Sequence, residues 1–182
     1  WVAGLTAVSC LVTVPIGPDD IVLVGGASGA VGLIAAQLAR ETGARVIGTA
    51  SARNHDLLRS LGVEPVLYGD GIADRVASLV GDAAITAVID AHGREALDAG
   101  VALGVPVNRM VAIAAYAALE ELGVHNVERD ARTAESLAEL ADRIAAGTLH
   151  VPVAATYPLD DVVAAYTELD GSHAPGKIVV TP

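Results

Sequence analysis

The sequence predicts an α/β fold in which a parallel sheet of about six strands is doubly wound, with helices on both faces. Short runs of β-branched residues alternate with helical segments along the chain, as in βαβ units. A cluster of glycines also joins the first such run to an Ala-rich amphipathic segment, in IVLVGGASGAVGLIAAQLAR at 21–40. Together these two observations predict strands that run directly into crossover helices.

The predicted strands are short, apolar and bounded by turn residues. They are Ile21–Gly25, Arg45–Thr49, Pro65–Tyr68, Ala87–Asp90, Met110–Ala114 and Val124–Val127. The predicted helices lie between them, and several end at a glycine, as helices commonly do. They are Ala30–Thr42, Asn54–Leu61, Ile72–Val80, Glu95–Leu103 and Thr133–Ala146. This order is typical of a Rossmann-type dinucleotide-binding fold.

The two ends of the chain do not fit this alternation. The first stretch, WVAGLTAVSCLVTV, is apolar and has no cap or charged face, so we expect the chain to be part of a longer enzyme. After Gly147 the pattern changes to strand, helix, turn and strand. We therefore divide the chain into a nucleotide-binding domain at 1–148 and a C-terminal segment at 149–182.

Composition excludes several classes of partner. The formal net charge is −11 and Lys177 is the single lysine, so nucleic acids and acidic membrane surfaces would repel the chain. No apolar run reaches the ~18–20 residues of a membrane span, and no basic residues precede the N-terminal apolar stretch, so we expect a cytoplasmic protein. Cys10 is the only cysteine, which excludes an internal disulfide and predicts a small buried hydrophobic residue.

The glycine cluster has the pattern A-x-G-x-x-G, in which Ala27 occupies the first position. Gly29 allows the backbone to approach a pyrophosphate, and Gly32 allows the helix to pack closely on the strand. The free N–H groups at the helix start, around Ala30 and Val31, face the anion, and the helix dipole adds to their attraction. The alternative is an ordinary tight turn between a strand and a helix.

The end of the second strand indicates which dinucleotide is preferred. NAD-binding proteins carry Asp or Glu there to hold the ribose hydroxyls, whereas this chain has TASAR at 49–53. Arg53 can bind a 2′-phosphate through two charge-assisted hydrogen bonds, and Ser51 can donate a further one. The sequence therefore favours NADPH over NADH, the alternative being that Arg53 is simply solvated.

Five motifs together resemble the medium-chain dehydrogenase/reductase superfamily, with the zinc-independent quinone oxidoreductase branch as the nearest. They are AGLTA at 3–7, GASGAVGLIAAQLAR at 26–40, GTASARNHDLLRSLG at 48–62, VIDAHG at 88–93 and GKIVV at 176–180. The resemblance covers nearly the whole chain. It implies a two-domain enzyme in which AGLTA belongs to a helix leading into the nucleotide-binding domain, while residues 149–182 return to a GroES-like catalytic domain that this chain lacks.

The resemblance also implies a set of cofactor-binding positions. These are Thr6, Ser28, Gly29, Ala30, Val31, Ser51, Arg53, Tyr68, Asp90, His92, Gly93, Ile113 and Ala114. Two depart from the family pattern, because Tyr68 lies about one position early and His92 stands where a small or apolar residue is common. Zinc-dependent relatives have a cysteine where this chain has Ala3, and its five histidines lack ligand spacing, so we expect no zinc.

The implied activity is hydride transfer from NADPH to a quinone or an activated alkene or carbonyl, with no catalytic residue assigned in this chain. A short-chain dehydrogenase is excluded because no tyrosine is followed four residues later by lysine. A non-catalytic NADPH sensor and an enoyl-reductase module of a larger synthase remain alternatives. The strand at Val124–Val127 predicts a homodimer through the sheet edge, unless charges at 128–130 leave that edge solvated.

Overall fold

The computed structural model describes residues 2–128, 130–171 and 176–182. Its regular elements follow one another in the predicted alternation. They are α1 (Val2–Thr13), β1 (Ile21–Gly25), α2 (Gly32–Glu41), β2 (Arg45–Ala50), α3 (His55–Ser60), β3 (Glu64–Leu67), α4 (Ile72–Val80), β4 (Ala87–Asp90), α5 (Glu95–Ala102), β5 (Met110–Ala112), α6 (Tyr116–Glu121), β6 (His125–Asn126), α7 (Ala134–Ala145), β7 (Val153–Pro158), α8 (Val162–Gly171) and β8 (Lys177–Thr181).

The main sheet has six parallel strands in the order β3-β2-β1-β4-β5-β6. The order reverses between β1 and β4, so the crossovers on the two sides of β1 diverge and leave a crevice at the carboxyl ends of these strands. The predicted doubly wound fold is thus confirmed, and β6 lies at the sheet edge as expected.

Both faces of the sheet are covered, which explains why the central strands are continuous apolar runs rather than alternating ones. Successive residues of β1 point to opposite faces: Val22 and Val24 join a core with α1, α2 and α7, whereas Leu23 joins a core with α4 and α5. All three side chains are fully buried. The predicted burial of Cys10 is confirmed, since it lies in the first of these cores.

Two predicted strands are shorter in the structure, and the carboxylate of Asp90 accounts for the end of the first. β5 was predicted to continue through Ala114 but ends at Ala112, because Asp90 accepts the next amides in place of a strand partner. β6 pairs only with Val111 and Ala112, so its ladder is confined to His125 and Asn126.

Other boundaries move by one or two residues. β3 begins at Glu64 and ends at Leu67, and not at Tyr68, because Arg75 takes the carbonyl oxygens of Leu67 and Tyr68. The α-helix after the glycine cluster begins at Gly32 and not at Ala30. The short helix α6 was not predicted.

The C-terminal segment contains the predicted strands and helix, with β7 and β8 pairing in parallel as a separate two-stranded sheet. Its start is tied to α2, because the Gln37 amide donates to the His150 carbonyl at 2.9 Å and accepts from the His150 amide at 2.8 Å. The predicted turn between α8 and β8, His173 and the edge charge of Arg129 lie outside the described residues.

Within the described ranges, none of the helices combines the length and apolar character that a membrane crossing requires.

Candidate functional site

A cleft of about 130 Å³ opens at the carboxyl ends of β1, β2 and β4, on the β2 side of the point where the strand order reverses. Five of the predicted site residues line it, together with residues that the sequence did not single out. The lining residues are Gly26, Ser28, Gly29, Thr49, Ala50, Ser51, Asn54, Tyr68, Ala91 and His92. Its position is that of a dinucleotide site in a doubly wound sheet.

The loop between β1 and α2 can form only with glycine at two positions. Gly26 has φ +67°, and a Cβ there would lie 2.6 Å from the Cβ of His92. A Cβ on Gly32 would lie 2.8 Å from the Gly26 carbonyl carbon and closer still to its oxygen. The left-handed residue is therefore Gly26, which precedes the A-x-G-x-x-G pattern, and Gly32 permits the approach of the helix.

The glycine loop is fixed to the end of β2. Thr49 accepts the Gly26 amide on its side-chain oxygen and the Ala27 amide on its carbonyl oxygen, both at 2.9 Å. The amide group of Asn54 donates to the Ser28 hydroxyl at 3.0 Å. These contacts fix the loop through bonds within the protein itself.

Several backbone N–H groups at the start of α2 are free to bind an anion. Among the described residues, the amides of Ser28, Ala30 and Val31 have no hydrogen-bond acceptor. The first bond of helical type runs from the Leu33 amide to the Gly29 carbonyl oxygen. Unpaired amides at a helix start, with the helix dipole behind them, favour a phosphate group.

Of the two predicted 2′-phosphate residues, Ser51 lines the cleft, and Arg53 follows it two positions later in the segment after β2. The Ser51 hydroxyl is buried without a hydrogen-bond partner among the described residues, an arrangement that buried polar groups rarely tolerate. Arg53 is exposed, and the nearby carboxylate of Asp56 pairs with Arg59 instead. No described carboxylate forms an ion pair with Arg53. A phosphorylated ribose would fit both groups.

Asp90, also predicted to bind the cofactor, is fully buried at the end of β4. One carboxylate oxygen accepts the amides of His92 and Gly93 at 2.9 and 2.6 Å. The other accepts the amides of Ala114 and Ala115 at 3.2 and 2.9 Å. Its side chain is therefore bonded to two loops of the protein.

Of the remaining predicted positions, Tyr68 lines the cleft, whereas Thr6, Ile113 and Ala114 are not among its lining residues. Thr6 is buried in α1, Tyr68 is about half exposed at the rim with 49% of its surface accessible, and Ile113 and Ala114 follow β5. Burial, reinforced by the negative charge of Asp90, raises the pKa of the Cys10 thiol to about 12, although Arg132 lowers it slightly. That thiol stays protonated and unreactive at neutral pH.

Gly26, Thr49 and Asn54 were not among the predicted site residues, although each of them lines the cleft. A glycine directly after a strand could have indicated Gly26, because Gly adopts left-handed turns readily. No sequence pattern near Thr49 or Asn54 predicts their hydrogen bonds to the glycine loop. Of the described residues, no group of three or more His, Cys, Asp or Glu side chains could hold a metal ion.

Comparison with known proteins agrees with this geometry. A family model described as "Zinc-binding dehydrogenase" matches residues 61–180. A 2-haloacrylate reductase of a Burkholderia species is 30% identical over 188 residues, which cover 91% of this chain and 56% of the relative. The spectinabilin polyketide synthase system protein NorB of Streptomyces orinoci is 33% identical over 174 residues, which cover 88% of this chain and 8% of that protein.

Solved structures are similar over nearly the whole chain. A quinone oxidoreductase from Coxiella burnetii superposes with a TM-score of 0.82 at 27% identity, over 99% of this chain and 58% of that one. A mycobacterial protein complexed with NADPH gives 0.80 at 30% identity, over 100% and 64% of the two chains. The chain thus spans little more than half of the reductase and of the first of these structures.

Proposed function

Since the chain belongs to the zinc-binding dehydrogenase family, within the medium-chain dehydrogenase/reductase superfamily, we propose that it is the NADPH-binding part of a reductase that acts on a quinone or an activated alkene or carbonyl. The observation that carries this proposal is the buried hydroxyl of Ser51, which has no hydrogen-bond partner among the described residues. Two positions further along the chain stands the exposed Arg53, which forms no ion pair within the described residues. Haloacrylates and quinones, named for two similar proteins, are both electron-poor acceptors.

The preference for NADPH over NADH follows from charge. The chain carries −11 overall, which opposes any nucleotide phosphate. Arg53 can offset this at the 2′-phosphate, where an acidic residue would instead repel it. A charge-assisted hydrogen bond contributes about 1.5–3 kcal/mol, which is enough to discriminate between the two cofactors by about tenfold or more.

The chain's own residues would bind and orient the cofactor. Ser51 and Arg53 hold the adenosine end, and the amides of Ser28, Ala30 and Val31 receive the pyrophosphate. The bound cofactor supplies a hydride to the acceptor. We assign neither a zinc ligand nor a proton donor within this chain, and we place residues 149–182 with a GroES-like catalytic domain that completes the acceptor pocket.

The cofactor assignment is tested by calorimetric titration of NADPH and NADH into the chain and into Arg53→Gln. We expect wild type to bind NADPH at least tenfold more tightly than NADH, which is about 1.4 kcal/mol, and Arg53→Gln to abolish most of that ratio. Arg59→Gln is the matched control, because it removes an exposed guanidinium that is paired with Asp56. Equal affinities for the two cofactors in wild type would overturn the assignment.

The match to part of a polyketide synthase supports a second candidate, an enoyl-reductase module of a larger synthase. A non-catalytic sensor is the third. An acceptor screen on the protein with its remaining domains separates them: turnover of quinones or haloacrylates supports the first proposal, turnover of enoyl thioesters the second, and NADPH binding without turnover the sensor.

We further propose that the protein acts in the cytoplasm, binds neither nucleic acid nor membranes, and forms a homodimer through β6. Among the described residues, no further strand of the main sheet pairs with the outer edge of β6, at His125 and Asn126. Analytical ultracentrifugation of the chain tests the dimer, and a monomer at micromolar concentration would contradict it.

A further inference from the structure

The carboxylate of Asp90 accepts hydrogen bonds from backbone amides of two separate loops. It ends β4 directly beside the point where the strand order reverses. Its two oxygens accept four amides, two from the loop after β4 and two from the segment after β5. Its backbone oxygen accepts a fifth amide, that of Ile113, at 3.1 Å. The donor residues of both loops, at 92–93 and 114–115, lie outside the strands and helices.

The choice of residue type fits this arrangement closely. A carboxylate has acceptors only, so both oxygens can receive amide hydrogens, whereas an asparagine would present its own N–H₂ to one of the two pairs of donors. A fully buried carboxylate would be costly without such partners. Asp90 therefore fits its surroundings because it is bonded to both loops at once.

The loop after β4 forms part of the cleft, whereas the segment after β5 is not among the residues that line it. Ala91 and His92 line the cleft. His92 lies so close to Gly26 of the glycine loop that a Cβ on Gly26 would be 2.6 Å from the His92 Cβ. Ile113 to Ala115 follow β5, which lies across the strand-order reversal from β2 and β1. A doubly wound sheet holds the second half of a dinucleotide on that side. The position of one loop relative to the other is thus the spacing between the two halves of the site.

We propose that Asp90 is a positioning residue that sets this spacing and does not itself contact the cofactor. The inference rests on the proposed function for its ligand, although the bonding it describes is independent of any ligand. It replaces the direct cofactor contact that the sequence predicted for Asp90. A ligand that occupies one half of the site should depend little on Asp90, whereas the complete dinucleotide should depend on it strongly.

The first measurement is amide hydrogen exchange by NMR on the ligand-free chain. In wild type we expect the amides of His92, Gly93, Ala114 and Ala115 to exchange slowly, although they lie outside the strands. In Asp90→Asn we expect faster exchange in at least one pair. Val88→Ala is the matched control, since it removes buried volume from the same strand without touching either loop. Fast exchange of these amides in wild type would overturn the proposal.

The second measurement compares the affinities for NADPH and for 2′,5′-ADP, which carries only the adenosine half. We expect Asp90→Asn to weaken NADPH about tenfold, or about 1.4 kcal/mol, and 2′,5′-ADP about threefold or less. Val88→Ala should leave the ratio of the two affinities unchanged. Equal losses for both ligands, or the same ratio in both variants, would refute the positioning role. If wild type bound neither nucleotide, the proposed function would fail, while the exchange experiment would still decide whether Asp90 holds the loops.

Discussion

Replacing Gly32 with alanine is the most direct test of how the glycine loop is built. The new Cβ would lie 2.8 Å from the Gly26 carbonyl carbon and 3.0 Å from the Cα of Ala27. Because carbon atoms are in contact at about 3.5–4.0 Å, the loop or the helix start would have to move by roughly 1 Å. Both neighbours are backbone, so no side chain can rotate away.

Two effects oppose each other in this variant. Alanine favours a helix over glycine by at most about 1 kcal/mol. Overpacking costs about 1–3 kcal/mol, and moving the loop strains the bonds of Gly26 and Ala27 to Thr49, each contributing about 0.5–1.5 kcal/mol. We therefore expect a net loss of about 2 kcal/mol in the free energy of unfolding, with a melting temperature lowered by about 4–8 °C.

The assay is urea unfolding followed by circular dichroism, together with titration of NADPH into the folded variant. We expect affinity to fall at least tenfold, because the amides proposed to bind the pyrophosphate would move with the loop. Gly17→Ala is the control: that residue precedes β1 at the other end of the sheet and has space for a Cβ, so stability should be unchanged or slightly higher. A Gly32→Ala variant with wild-type stability and affinity would refute this account of the loop.

Two further predictions concern titratable groups. Because its pKa of about 12 leaves little thiolate, Cys10 should react with a maleimide reagent at least about a hundredfold more slowly in the native chain than in urea; comparable rates would mean that the thiol is accessible. Burial alone would raise the pKa of the Asp20 carboxyl, but hydrogen bonds from Thr86, the Gly17 amide and Arg109 hold it below its usual range. Its stabilising contribution is present above the unfolded pKa of about 3.9 and is lost as pH falls through the folded value. The difference in unfolding free energy between wild type and Asp20→Asn should thus shrink below about pH 4, and a constant difference down to pH 2 would contradict this.

The parts of the fold predicted from sequence are those that local signals determine. The buried runs at β1 and β4, the glycine-terminated helices and the glycine loop are set by nearby residues, so their order and type are confirmed. The predicted strand ends were wrong where a side chain from elsewhere in the chain bonds the backbone groups that would have continued the strand. Asp90 ends β5 because it accepts the amides of Ala114 and Ala115. The Arg75 guanidinium ends β3 because it donates to the carbonyl oxygens of Leu67 and Tyr68.

The site was predicted unevenly for the same reason. Ser28, Gly29, Ser51, Tyr68 and His92 line the cleft because each lies at the end of a strand or in the loop that follows it. The hydrogen bonds of Asp90 could not be predicted from the sequence, because its four donors come from two segments separated by about twenty residues of chain. Spacing within a motif does not show which distant amides a carboxylate will meet.

The bonds between Gln37 and His150 have a mechanical consequence. Gln37, whose side chain bonds to the C-terminal segment, lies five positions along α2 from Gly32, which packs against the glycine loop. This part of α2 is about 7–8 Å long. Because a helix of that length is rigid, a tilt at Gly32 also displaces Gln37. A tilt of α2 on nucleotide binding would therefore also change the orientation of the segment that begins at His150.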